Sequence, residues 1–233
     1  LQPGYFDPNI PGGNNFNFFS DPVKEGVFDP NSINQLKDDS FLSVQDITLN
    51  TNGDALASIK NLPQSKQLKN LVLEMEYIDP NGEIKTSSVG TSLFPAEYIV
   101  GLRADNWIAS STKTKLSGII LNNRAEPANE KSYRVKAFQS NYITHRKRLV
   151  SGFYSYDSKT EIISLGTVCE GQTNNKGRFS CEPKNLPAGD ITLQAETIDT
   201  QGRPTFAKAS VNIYEEGEDN WWVPSDSDRI DLI

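Results

Sequence analysis

A long-range internal repeat constrains this 233-residue chain more than any single residue does. Ile78-Asp79-Pro80-Asn81-Gly82 returns as Ile198-Asp199-Thr200-Gln201-Gly202, a spacing of 120 residues (198 less 78). At the same spacing Leu71, Leu73 and Met75 fall on Ile191, Leu193 and Ala195, while Thr91, Leu93 and Phe94 fall on Val211, Ile213 and Tyr214. Upstream, Thr51-Asn52-Gly53 through Asn61-Leu62-Pro63 resembles Thr173-Asn174-Asn175-Lys176-Gly177 through Asn185-Leu186-Pro187, with small length changes. Solenoid repeats are shorter, so a period of this size marks a whole domain. The expectation is a tandem array of like modules, and such arrays bind, space or trap other molecules.

Local patterning makes the modules β-structured. Residues 71–78 alternate apolar and polar positions as far as Tyr77-Ile78, as a half-buried strand does. Asp79-Pro80-Asn81-Gly82 is a turn, with Pro fixing φ and Asn-Gly tolerating positive φ, and 84–94 returns as a strand. The counterpart hairpin is 191–198, a turn at Asp199, and 206–214, where Ala207, Ala209, Val211 and Ile213 share one face. Further short strands are expected at 98–102, 116–121, 133–138 and 149–156. Without a 3.6-residue periodicity, the pattern predicts an all-β chain of tandem antiparallel β-sandwiches. Pro95 closes the first module (1–95), a second spans 96–215, and 216–233 is an acidic linker leading into a following domain. The first module, at about 94 residues against 120, is expected to lack its first strand or two. Residues 1–20, with Phe16, Phe18 and Phe19, read as an extended lead-in that lays aromatics on the first module. The two Asp-initiated turns are expected to be interchangeable solvent turns.

Cys169 and Cys181 flank the turn at Asn174-Asn175-Lys176-Gly177 and should lie near one another across a hairpin. A disulfide there would contribute roughly 3 kcal/mol in the chain-entropy picture and would indicate an oxidising compartment. The alternative is two buried thiols in a reduced protein. A net charge of −7 argues against nucleic-acid binding. No apolar run approaches the roughly 20 residues that span a bilayer. The start lacks the charged and apolar regions of a signal peptide and reads as an internal cut.

Catalytic constellations are not apparent. His145, the single histidine, sits among Arg146, Lys147 and Arg148, which disfavour its use as a base. Ser110-Ser111-Thr112-Lys113 has Ser-x-x-Lys spacing but not the companion motifs of that chemistry. Asp226, Asp228 and Asp231 offer oxygen ligands without a calcium-binding loop, so no metal and no cofactor is expected. Arg146 to Arg148 read as a solvated loop or strand edge before an anion patch. Trp221 and Trp222 read as cover for a domain junction before a sugar platform.

Several segments, taken together and in order, resemble the bacterial alpha-2-macroglobulins. They are His145-Arg146-Lys147-Arg148-Leu149-Val150-Ser151-Gly152-Phe153-Tyr154-Ser155-Tyr156, Leu165-Gly166-Thr167-Val168-Cys169-Glu170-Gly171, Gly177-Arg178-Phe179-Ser180-Cys181-Glu182, Leu193-Gln194-Ala195-Glu196-Thr197 and Asp228-Arg229-Ile230-Asp231-Leu232-Ile233. Leu93-Phe94-Pro95-Ala96 through Val100-Gly101 is similar to the junction of two consecutive macroglobulin domains. The resemblance covers roughly residues 45–233 and implies paired macroglobulin domains of fibronectin- or Ig-like fold from a large periplasmic protease trap, with bait and thioester domains downstream. Cys169-Glu170-Gly171-Gln172 has the Cys-to-Gln spacing of a thioester but departs from the family's Cys-x-Glu-Gln. With Cys181 available as partner, a disulfide is the better expectation.

The expected function is therefore non-enzymatic. The modules would be structural parts of a broad-spectrum protease inhibitor, with target proteases and neighbouring macroglobulin domains as partners. The expected location is the periplasm, with the parent protein lipid-anchored at the inner membrane. The alternative is an Ig-like adhesin or carbohydrate-binding array using Trp107, Trp221 or Trp222 as a platform.

Overall fold

The computed structural model describes residues 2, 3, 6, 15–29, 43–60, 62, 65, 67–110, 113–148 and 153–214. Among them the secondary structure is strand, turn and bend. The strands are β1 Gln2–Pro3, β2 Asn17–Phe18, β3 Gly26–Phe28, β4 Lys69–Ile78, β5 Ile84–Leu93, β6 Tyr98–Ala104 and β7 Ile108–Ser110. They continue with β8 Leu116–Asn122, β9 Ser132–Arg148, β10 Tyr154–Gln172, β11 Arg178–Cys181, β12 Gly189–Ile198 and β13 Pro204–Tyr214. The acidic segment 216–233, with its Trp pair and aspartates, lies outside the described residues.

The second module is a sandwich. One sheet runs β3-β10-β9-β12-β13-β7 and the other β11-β8-β6-β2. All ladders are antiparallel except β7 on β13. Alternation decides what is buried between the sheets. Val100, Leu102, Leu116 and Ile120 from one sheet meet Val135, Ala137, Ile191, Leu193, Ala207, Val211 and Ile213 from the other. The neighbours Lys208, Ser210 and Asn212 point outward along β13.

The repeat is borne by the backbone. β4 pairs with β5 from Lys69 opposite Leu93 to Ile78 opposite Ile84, and β12 pairs with β13 from Gly189 opposite Ile213 to Ile198 opposite Pro204. Every rung of one ladder is a rung of the other, 120 residues on. The turns are also one structure. In each, the Asp Oδ1 accepts the N–H groups two and four residues ahead (2.9 and 3.0 Å at Asp79; both 2.9 Å at Asp199). The fourth residue adopts positive φ, 83° at Gly82 and 78° at Gly202. The same construction recurs at Asn50, Asn122 and Asn174, with Ala125 carrying the strain of φ 62° in the second.

Two expectations are corrected here. Of the lead-in aromatics, Phe19 lies against Phe94 of the first module as expected (ring centroids 6.3 Å apart), but Phe16 and Phe18 pack on the second. Residues 15–29 strap the second sandwich, from β2 at the edge of one sheet to β3 at the far edge of the other. On the way Ser20 N–H donates to the Phe206 carbonyl (2.9 Å) and Val23 N–H to Gln194 Oε1 (2.6 Å), sealing Gln194 and Phe206 on the sheet's outer face. The cause is a bare patch on the smaller sheet. Phe16 covers Ile119 and Leu121, and Phe18 lies where a side chain on residue 101 would be, 2.5 Å from an ideal Cβ of Gly101. Burying these rings stabilises the strap by about 2 kcal/mol each. Second, of the strand expected at 149–156, residues 149–152 lie outside the described residues, and Tyr154 to Tyr156 open a far longer strand than expected, since β10 runs to Gln172.

Candidate functional site

The corner where the second module changes sheets carries the densest cross-links. β10 belongs to the larger sheet and β11 to the smaller, so the Asn174 turn is a crossover and not the hairpin expected from sequence. A disulfide joins Cys169 of β10 to Cys181 of β11, with Cα atoms 5.9 Å apart, and ties the two sheets together. Beside it the Tyr133 ring of β9 stacks on Phe179 of β11 at 3.9 Å, and Phe179 in turn fills the space left above Gly118 of β8. Burial raises the Tyr133 phenol above its ordinary pKa. Because Cys169 Sγ is bonded to Cys181, it is not free to form a thioester.

A second sealed point lies at the Asp199 turn. The carboxylate has no solvent-exposed area, whereas that of Asp79 retains 15%. Asp199 Oδ1 takes the N–H groups of Gln201 and Arg203. Its Oδ2 takes Glu97 N–H (3.1 Å), Arg203 Nε (2.8 Å) and Arg203 Nη2 (2.7 Å). Burial alone would raise its pKa, but the donated bonds from Arg203, Glu97 and Gln201 outweigh it and hold the pKa at about 2. The expectation of two interchangeable solvent turns is thus wrong for Asp199, which ties the β12–β13 turn to the segment entering β6. The same fold position 120 residues earlier has Glu83 in place of Arg203.

The most accessible chemistry sits on an arm. β12 covers β9 only from Arg134 to Ser140, while β9 and β10 stay paired out to Arg148 opposite Tyr154. On one face of this two-stranded extension lie Tyr142, Arg146, Arg148, Tyr154 and Tyr156, all exposed, with the Arg146 guanidinium 3.5 Å from the Tyr154 ring centroid. His145, also exposed, lies on the opposite face across from Asp157. Alternating guanidinium and phenol groups can hold an anionic or planar partner group. They supply no activated nucleophile. The sequence reading gave Tyr142, Tyr154 and Tyr156 no binding role, although the period-two runs Arg146-Lys147-Arg148 and Tyr154-Ser155-Tyr156 carry the signal.

The remaining candidates do not converge on this region. Ser110 is buried at the end of β7, where its carbonyl accepts Thr114 Oγ1 (3.2 Å), and Ser111 and Thr112 lie outside the described residues. Among the described residues no group of three or more His, Cys, Asp or Glu is placed to hold a metal ion. No described helix is long and apolar enough to cross a membrane.

Two facing sheets, strap and sheet-crossing clasp define the class: an all-β chain built around an antiparallel β-sandwich. No family model matches the chain, and no curated protein matches it. Among solved structures it is similar to the native conformation of E. coli alpha-2-macroglobulin, with TM-score 0.50 and 10% identity over 94% of this chain. Salmonella alpha-2-macroglobulin reacted with methylamine gives TM-score 0.49 and 12% identity over 91% of the chain. A tetra-tandem repeat from the extending region of a large adhesion protein gives 0.33 and 15% over 63% of this chain and 32% of its own. The chain spans 14% of the length of either alpha-2-macroglobulin. At these identities the likeness is one of fold, and the E. coli comparison carries it.

Proposed function

We propose that this chain supplies non-catalytic macroglobulin-like modules to a bacterial alpha-2-macroglobulin-like protease trap. Their part is mechanical, holding bait and thioester domains elsewhere in the protein in position and walling the cage that closes on a target protease. The observation that carries this reading is the fold likeness to the native E. coli protein over 94% of the chain, which agrees with the ordered segment resemblance read from residues 145–156, 165–171 and 177–182. The sheet-crossing disulfide fits an oxidising compartment such as the periplasm, and the proposal places the parent there, lipid-anchored to the inner membrane.

The test uses the full-length protein mixed with trypsin, with and without methylamine pretreatment. Trapping predicts a covalent protease adduct that methylamine abolishes, with large substrates protected and small ones still cut. Ordinary degradation with no protection of large substrates would sink the reading. A second reading, carbohydrate binding, is favoured by one feature. Trp107, 76% exposed, borders an open cleft of about 570 Å³ with Asn15, Asn17, Arg103 and Asp105, a mix of aromatic and planar polar groups suited to sugars. A glycan array separates the two, since a cage wall gives no specific signal.

A further inference from the structure

The arm formed by β9 and β10 has two faces of different charge. It stands clear of the sheet because β12 starts at Gly189, where Gln139 Nε2 donates to the Ala188 carbonyl (3.0 Å), while β9 stays paired with β10 as far as Arg148. Residues directly opposite one another in a ladder share a face. On one face His145 lies opposite Asp157 and Asn141 opposite Glu161, with Lys159 between the two acids, so both signs are present. The other face sets Tyr142, Arg146 and Arg148 of β9 among Tyr154 and Tyr156 of β10, with Thr and Ser hydroxyls filling the remaining rungs. It carries cations and phenols and no carboxylate, in a chain whose net charge is −7. Among the described residues neither guanidinium is paired with an acid. Arg146 is instead stacked on the Tyr154 ring, 3.5 Å from its centroid, which orients the guanidinium plane and leaves the N–H groups at its rim for an acceptor.

We propose that this face of the arm is a docking surface for an extended acidic segment of a partner polypeptide, with carboxylates at alternate residues. Charge and pitch carry the choice. Arg146 and Arg148 are two strand residues apart, roughly 6.6 Å, and side chains on one side of any extended peptide recur at that same distance. Carboxylates two residues apart in the partner therefore meet both guanidinium groups at once. The Tyr142 and Tyr156 rings, 65% and 48% exposed, lie alongside to cover the apolar parts of the same segment. Single-stranded nucleic acid also stacks on rings and pairs with cations, but its phosphates are repelled by a chain of net charge −7. The arm of a second copy brings the same cations and is repelled as well. The docking surface is a property of the arm alone and does not depend on the protease-trap reading.

The probe is a fluorescent octapeptide, Glu-Ser-Glu-Ser-Glu-Ser-Glu-Ser, titrated with the whole chain at low salt. Its comparator, Glu-Glu-Ser-Ser-Glu-Glu-Ser-Ser, has the same composition and no two carboxylates at alternate residues. The alternating peptide should bind wild type saturably and about threefold or more tighter than the comparator. Arg146→Glu combined with Arg148→Glu should weaken binding about tenfold or more, and replacing each glutamate of the peptide by lysine should restore it. Tyr154→Leu keeps every charge but frees the Arg146 guanidinium, and should weaken binding by about twofold. His145→Ala, on the opposite face, should leave it unchanged. All four positions are exposed, so the variants should keep the wild-type thermal midpoint. The proposal is overturned if the two peptides bind alike, or if the doubly reversed variant keeps its affinity. It is equally overturned if polygalacturonate binds more tightly per carboxylate than the alternating peptide, which would make the face a glycan site. A dimer in light scattering that the double reversal abolishes would also overturn it, since the face would then join copies of this chain.

Discussion

β4–β5 and β12–β13 are one hairpin in two surroundings. Register and Asp-centred turn are the same in both, yet β12 buries Ile191, Leu193 and Ala195 while β4 leaves Leu73, Met75 and Tyr77 exposed. The difference lies in the neighbours. β12 is flanked by β9, faced by β6 and crossed on its outer side by the 15–29 strap. Hairpin geometry is thus a local property of sequence, set by alternation and turn chemistry. Burial, and with it most of the stabilisation, comes from elements far away in sequence.

The largest effect that would break this comparison is a charge placed at matched positions. Leu193 is fully buried, so Leu193→Asp puts a carboxylate without partners into the sandwich and should abolish the second module's cooperative unfolding transition. Leu73→Asp, 120 residues earlier on a half-open face, should cost no more than about 0.5 kcal/mol of stability. Circular dichroism melts of the two variants decide it. Equal losses would mean the β4 face is packed as tightly as that of β12.

These matched positions also mark what could be read in advance. The repeat, hairpin registers and inward row Ala207, Ala209, Val211 and Ile213 were legible, because turn residues and period-two alternation are local signals. Three features were not. Phe16 and Phe18 were visible as aromatics, but their receiving patch at Gly101, Ile119 and Leu121 lies about a hundred residues away and has no pattern pointing to it. The spacing of Cys169 and Cys181 indicated proximity, yet whether a turn reverses within one sheet or crosses to another depends on which strands pair, and β11 chose β8. The arm was read only as far as a solvated loop or strand edge at Arg146 to Arg148, because its charge suits either, and the pairing of β9 with β10 decides for strand.

The next effect in size concerns the matched Asn-centred turns at Asn50 and Asn174. At the 124-residue spacing of Asn50 and Asn174, Cys169 corresponds to Gln45 and Cys181 to Ala57. Where the second module has its disulfide, the first has a hydrogen bond from Gln45 Nε2 to the Ser58 carbonyl (3.2 Å). Replacing both cysteines by serine should cost about 3 kcal/mol, since the 12-residue separation is freed in the unfolded chain. Gln45→Ala should cost less than about 0.5 kcal/mol, because the bond is exposed. Urea titrations under non-reducing conditions compare the two. A negligible cysteine effect would show that the Tyr133–Phe179 stack holds the sheets together without the clasp.

The smallest difference is the most specific, because it contrasts two aspartates with one backbone turn. Asp199→Asn keeps the shape but removes the charge that Glu97 N–H, Gln201 N–H and Arg203 converge on, and should cost about 2 kcal/mol at neutral pH. Arg203 is 43% exposed, so its share is screened and the buried backbone donors supply most of the effect. Asp79→Asn, which lacks the equivalents of Glu97 and Arg203, should cost markedly less. The pH dependence follows from the depressed pKa of about 2 at Asp199. The unfolded chain binds this proton first, near the ordinary carboxylate value of 3.8, so the contribution is complete above that pH and is lost as pH falls towards 2. The stability gap between wild type and Asp199→Asn should therefore be constant from pH 7 to about 5 and close between about 4 and 2. Urea denaturation of both proteins at several pH values measures it. A gap that persists unchanged at pH 2.5 would mean the asparagine acts through lost shape or packing, and that the charge at Asp199 contributes nothing to the corner.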